Sequence, residues 1–311
     1  MTDMAHTTGE YTSGQTATER TERSATREQS AALSRGRLAL FTLLVALAVW
    51  LPRAFQLDHF VTIDEKRWLT RSANFWQALE SGELVNTFQQ GHPGVTVMWV
   101  GMAGYWQQYP GYVQAAPGQF DSKNDELEDF LQAHNHPPIE ILAAGRILVV
   151  LINTLLLAGI FWLAVRLVGL WPALVGCLLM AFDPFLAAFA RFLHPDGLLP
   201  APMLLAVLAF LAYLYRGRHP RDLVISAVAA GFAWLTKTPA LFLIPFVGLV
   251  TLVEYVRLTI YDVRFTNSPT DEGALVNRQS KIVNRLSFWS MVRTLILWGL
   301  IGLAVFVLFW P

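Results

Sequence analysis

Charge is what this sequence has least of. Only 15% of its 311 residues are Asp, Glu, Lys or Arg, against about 25% in a soluble globular domain. That deficit excludes an ordinary water-facing surface over most of the chain. The formal net charge is zero, so no basic excess recommends a nucleic-acid partner. The one cysteine, Cys177, lies inside an apolar run. It has no partner for an internal disulfide, reads as a small packing residue, and says nothing about redox compartment. Several enzyme motifs are missing as well. No GxxxxGK[ST] loop offers a cradle for ATP, and neither HExxH, CxxC nor GxSxG occurs.

What is present is apolar and aromatic. Hydrophobic residues make up 54% of the chain, with 11 Trp and 20 Phe, and aromatics gather at membrane interfaces. Apolar runs lie near 38–55, 141–165, 167–189, 197–215, 222–236, 238–256 and 292–310. A membrane-crossing helix needs about 20 such residues. The expectation is an all-α integral membrane protein of about seven transmembrane helices over residues 37–311. Residues 1–36 are rich in Thr, Ser, Glu and Arg and read as a disordered cytoplasmic tail. They do not resemble a secretory signal: the apolar run comes too late and no small-residue cleavage site follows it.

Lys and Arg in short flanks set orientation. Arg20, Arg23, Arg27, Arg35 and Arg37 precede the first run; Arg216, Arg218 and Arg221 follow the fourth; Arg257, Arg264, Arg278, Lys281, Arg285 and Arg293 follow the sixth. With seven crossings all three sets share one side, which is then cytoplasmic. Residues 57–140 become the first extracytoplasmic loop, and the polar stretch 257–291 a cytoplasmic surface loop. Within 57–140, Trp68, Phe75, Trp76 and Leu79 recur at helical spacing, which predicts an amphipathic helix lying on the membrane. The run 95–106 is too short to cross and reads as interfacial or re-entrant.

This orientation sends the awkward ionisable residues to one face. Asp64 and Glu65 follow the first run, His92 lies in the loop, Arg191, His194 and Asp196 lie in RFLHPDGLL, and Lys237 sits where the fifth and sixth runs meet. Each has a plainer reading. The acid pair suits a helix N-terminus, Lys237 a snorkelling cation, and a single histidine is more often structural. Asp196 is harder to dismiss, because an acid at the start of an apolar span needs a cap role or a partner. Together they suit chemistry on a phosphorylated lipid: a carboxylate to deprotonate a hydroxyl and cations to hold a phosphate.

The constellation resembles the GT-C membrane glycosyltransferases, in particular the protein O-mannosyltransferase and lipid A aminoarabinose transferase group. The motifs carrying the resemblance are the Asp64-Glu65 pair opening the outer loop, His92-Pro93 where aminoarabinose members have Lys-Pro, Arg191 and Asp196 at the next outer turn, and GFAWLTK ending at Lys237. The resemblance implies inverting transfer of a sugar from a polyprenyl-phosphate carrier to a hydroxyl of a protein, lipid or glycan acceptor. It makes Asp64 the general base and Glu65 its orienting neighbour or an acceptor contact. Lys237, Arg191 and His92 hold the carrier phosphate, and Asp196 and His194 shape the pocket. No cofactor is required; a divalent ion on Asp64, His92 and His194 is the lesser alternative. The implied location is a bacterial inner membrane with an extracytoplasmic active site. Members normally continue beyond the seventh span, so a C-terminal part is expected to be missing here. The competing classes are a lipid or solute transporter and a non-catalytic scaffold.

Overall fold

The computed structural model describes residues 35–266 and 288–311, with side chains through 260 and from 288. The expected tail thus lies outside the described residues, apart from its last two positions. Most of the 257–291 loop lies outside them too. The chain divides into two units, Met1–Leu44 and Val45–Pro311. In the first, residues 35–44 form helical turns with Leu40, Leu43 and Leu44 exposed. The second holds everything considered below.

No strand occurs among the described residues. We name the helices α1 (Arg35–Ala54), α2 (Ile63–Ser81), α3 (Val95–Gln108), α4 (Tyr112–Ala115), α5 (Glu126–Ala133), α6 (Pro138–Val168), α7 (Leu170–Phe182), α8 (Pro184–Phe189), α9 (Pro195–Leu198), α10 (Pro200–Tyr215), α11 (Pro220–Thr236), α12 (Leu243–Thr266) and α13 (Phe288–Phe309). Each of the seven apolar runs falls on helix. Among the described residues, five stretches are long and apolar enough to cross a membrane: Arg35–Ala54, Pro138–Val168, Pro195–Tyr215, Thr238–Ile260 and Phe288–Phe309. The run at 167–189 is not one rod. Asp183 caps α8 by accepting from the Leu186 N–H at 2.7 Å, and Pro184 opens the new helix, so α7 stops at Phe182. The run at 222–236 forms α11, one residue short of the 18 taken as spanning length. At the other boundary, α12 continues to Thr266, well into the stretch expected as loop.

The outer-loop helices differ from expectation in what covers them. Trp68, Leu69, Phe75 and Trp76 of α2 are buried against α3, α5 and α6 in one core, together with Val97, Met98 and Tyr105 of α3. Their apolar faces therefore pack on protein, where a face lying on lipid was anticipated. The close approach is built into the sequence. A Cβ on Gly104 of α3 would meet the Ile141 carbonyl oxygen at 2.8 Å and the Gly145 nitrogen at 2.9 Å on α6. A second core joins α10, α11, α12 and α13 through Phe210, Trp234, Leu243 and Trp298. Leu151, Leu155, Val253, Leu300 and Val307 remain exposed on the long helices, as lipid-facing positions do.

Candidate functional site

The first turn of α2 is the foundation. Thr62 and Glu65 form a capping box: the Thr62 hydroxyl accepts from the Glu65 N–H, and the Glu65 carboxylate accepts from the Thr62 N–H. Glu65 then does more than cap. Arg146 of α6, 1% exposed, donates to both of its oxygens at 2.7 Å from Nε and Nη2. The same guanidinium donates to the carbonyls of Leu57, His59 and Phe60, and the Leu193 N–H donates to Glu65 Oε1 at 3.0 Å. One buried ion pair thus ties the 57–60 loop segment, the start of α2, α6 and the 190–194 turn together. Breaking such a pair from one side costs about 3–5 kcal/mol.

That hub sets two neighbours face to face. Asp64, next to Glu65, points outward with a 59% exposed side chain; His194, next to Leu193, brings its Nε2 within 3.9 Å of Asp64 Oδ2. Arg67 Nη1 lies 3.5 Å from the other Asp64 oxygen. His194 also caps α9, its Nδ1 accepting the Asp196 N–H at 3.1 Å. A backbone N–H only donates, so Nδ1 is unprotonated and the neutral ring carries its proton on Nε2, toward Asp64. Burial pushes the His194 pKa below its ordinary value; Asp196 and Asp64 pull it upward and Lys237 downward. Beyond His194, Asp196 Oδ1 accepts from Lys237 Nζ at 2.6 Å. Asn153 of α6 donates to the carbonyls of Ala190 and Gly197 and so holds the turn on both sides of His194.

His92 arrives by a third route. The Gly94 N–H donates to the Thr236 carbonyl at 3.1 Å, and the His92 ring nitrogen sits 3.3 Å from the Thr238 hydroxyl, beside Lys237. Gly94 has φ +59, and a Cβ there would sit 2.0 Å from the Trp68 ring. The position therefore requires glycine on both counts. Trp68 meets His194 edge-on at 6.4 Å, and the Arg71 guanidinium lies over its ring at 4.7 Å.

The sequence-selected residues therefore separate into groups. Asp64, His194, Asp196 and Lys237 form one chain of contacts, with His92 at its Lys237 end. Glu65 belongs to the hub beneath and is fully buried, so it cannot touch an acceptor. Arg191 directs Nη2 to the carbonyls of Phe55 and Gln56 at 2.6 and 2.7 Å, and in that pose it anchors the backbone after α1. Asp64, His92 and His194 do not assemble as ligands; no group of three His, Cys, Asp or Glu among the described residues is placed to hold a metal ion. Two arginines were missed. Arg146 sits inside the apolar run AAGRILVV, and a charge there demands a partner. Arg71 lies one helical turn beyond Arg67, and its Nε is buried without a partner among the described residues.

A family model described as dolichyl-phosphate-mannose-protein mannosyltransferase matches residues 141–261. That stretch is less than half of the chain. It runs from α6 into α12 and so contains Arg146, His194, Asp196 and Lys237, while Asp64 and His92 precede it. The match is a distant one and supports kinship with the GT-C-like, mannosyltransferase-related superfamily. No curated protein and no solved structure matches the chain.

Proposed function

We propose that the protein transfers a sugar from a polyprenyl-phosphate carrier to an acceptor hydroxyl, with inversion, on the extracytoplasmic face of a bacterial inner membrane. The observation that carries this reading is the contact chain Asp64–His194–Asp196–Lys237, assembled at one end of the bundle from α2, the turn before α9 and the end of α11. Asp64 is the exposed acid and takes the proton of the acceptor hydroxyl. The hydroxyl oxygen bonds to the anomeric carbon as the bond from that carbon to the phosphate oxygen breaks, and the electron pair leaves on the phosphate. Lys237 has three N–H donors and Asp196 engages one, so the others remain for the leaving phosphate. Arg71, over the Trp68 ring that meets His194, and His92, against Thr238 beside Lys237, add further hydrogen-bond donors. A narrow cleft of about 70 Å³ reaches Asp196, lined by Leu157, Ile160 and Leu204 beside Arg53 and Asn153.

The test is incubation of the full chain in membranes with defined polyprenyl-phosphate sugars and hydroxyl acceptors, with mass analysis of products. Glycosylated acceptor and released polyprenyl phosphate are expected. Movement of the carrier across the bilayer without glycosidic product would overturn the proposal in favour of transport.

A further inference from the structure

The segment between α1 and α2 leaves its large apolar side chains outside. Phe55, Phe60, Val61 and Ile63 are 65, 75, 46 and 74% exposed, and Leu57 alone among them is buried. Its backbone is treated in the opposite way. Five of the six carbonyls from Phe55 to Phe60 accept from arginine side chains: Arg191 serves Phe55 and Gln56, and Arg146 serves Leu57, His59 and Phe60. Solvent satisfies the carbonyls of a loop in water. A loop at the edge of hydrocarbon must find its partners within the protein. The same bonds hold Gln56 and Phe60 at φ +53 and +54, a region that bulky side chains rarely adopt. Asp58 and His59 hydrogen-bond each other at 2.8 Å, and Thr62 is engaged in the capping box.

Helix α6 fixes the depth of this segment. Arg146 and Arg166, the latter paired with Asp222, lie about 30 Å apart along the axis, which is about the thickness of the hydrocarbon core. The carbonyls that Arg146 holds therefore sit at the hydrocarbon boundary. The segment begins where the apolar stretch ending at Ala54 stops, and the last turns of α1 leave Leu47 and Leu51 exposed. It continues a helix already open to lipid. A docking patch for a protein acceptor would also be apolar, but it would lie in water and need no saturated carbonyls. Exposed apolar side chains on a backbone with its acceptors filled, at boundary depth, match a phospholipid leaflet.

We propose that residues 55–63 are a membrane seat: Phe55, Phe60, Val61 and Ile63 rest in the near leaflet where acyl chains meet headgroups. Ile63 directly precedes Asp64, so the seat sets that acid at the membrane surface. The seat stands or falls apart from the transfer reading, because its test reads depth and not turnover. Cys177 is the chain's one cysteine and is buried, so Cys177→Ala gives a background for spin labelling. The full chain carrying Phe60→Cys, Ile63→Cys or, as a water-side reference on α5, Glu126→Cys is labelled and placed in phosphatidylcholine nanodiscs, one copy per disc. Phe60 and Ile63 are exposed, so neither replacement removes a packed group. Power-saturation EPR reads collisions with oxygen, which concentrates in lipid, and with a water-soluble nickel chelate. Oxygen contact should exceed nickel contact at 60 and 63, and nickel should exceed oxygen at 126. Nickel contact at 60 and 63 equal to that at 126 would place the patch in water and overturn the proposal. Exclusion of both reagents from 60 and 63 would show a protein cover and overturn it as well.

Discussion

Helix α6 carries an arginine near each end, and each grips one carboxylate through two hydrogen bonds of 2.7 Å: Arg146 with Glu65, Arg166 with Asp222. Twenty positions separate them, about 30 Å along the axis, which is about the thickness of a bilayer's hydrocarbon core. The pairs are alike and their surroundings are not. Around Asp222 the carboxylate itself is closed off, at 0% exposure. Arg221 approaches the same carboxylate at 3.8 Å, both guanidiniums lie over the Trp162 ring, and Arg216 donates to the Leu167 carbonyl. Around Glu65, the neighbouring acids Asp64 and Asp196 keep 59% and 40% of their side chains exposed, and the basic groups facing them have hydrogen-bonding capacity left. A buried ion pair locks helices at either end. Chemistry becomes available only where charged groups beside the lock are left partly unsatisfied and within reach of a ligand.

The largest expected contrast is between Asp64→Asn and Asp222→Asn. The first should reduce transfer by roughly 10²–10⁴-fold, the usual contribution of a general base, with the melting profile unchanged. The second should leave the rate per folded molecule intact while lowering stability by about 3–5 kcal/mol, read as a drop in Tm in detergent or nanodiscs. Equal loss of turnover in both would erase the distinction between the ends. Next in size is the hub. Glu65→Gln should destabilise by about 3–5 kcal/mol, because it leaves Arg146 buried and unpaired. Replacing both partners, Glu65→Leu with Arg146→Met, should restore only part of the Tm and none of the activity. The loop carbonyls of Leu57, His59 and Phe60 and the Leu193 N–H would have lost what holds them. The matching double replacement at the other end, Arg166→Met with Asp222→Leu, should restore both.

The sequence conveyed the helical bundle well because apolar length is a property of composition, and every apolar run did become helix. It was silent on what α2 and α3 pack against. An amphipathic face has the same spacing whether lipid or protein covers it, and the tight α3–α6 crossing at Gly104 is visible only in three dimensions. Glu65 was readable in part: Thr62 followed three positions later by Glu65 spells a capping box. Its second role needed Arg146, 81 residues away in sequence, which nothing local announces. Co-location of Asp64, Asp196 and Lys237 was expected from charge bias taken together with seven crossings. The tautomer of His194 was not, because it follows from one backbone N–H.

Lys237 sharpens the comparison further. Lys237→Ala should lower kcat by roughly 10²–10³-fold, the scale of one lost donor to a developing oxyanion, with Lys237→Arg recovering part of it. Arg71→Gln should act in the same direction, more weakly, and should also weaken binding of free polyprenyl phosphate. A purely packing role for Arg71 over Trp68 would lower Tm and leave that affinity alone.

The smallest effect concerns pH and belongs to one end only. Burial depresses the His194 pKa, chiefly by desolvation. In the unfolded chain an imidazole gains its proton near pH 6.5; in the fold it resists until lower pH. Between those points the unfolded state binds more protons, so stability falls as pH falls through that window and levels off below it. Protonation would also put a hydrogen on Nδ1, where the Asp196 N–H already points. The start of α9 should then loosen, and Asp196 would shift relative to Lys237. Rate and Tm are therefore expected to decline together as the pH drops below about 6.5. His194→Asn keeps a side chain able to cap α9 but has no titrating group. It should flatten that shared acid limb while lowering the neutral-pH rate about tenfold, a modest loss for a wall residue beside the base. An acid limb in rate and Tm that persists unchanged in His194→Asn would place the titration elsewhere and remove His194 from the working cluster.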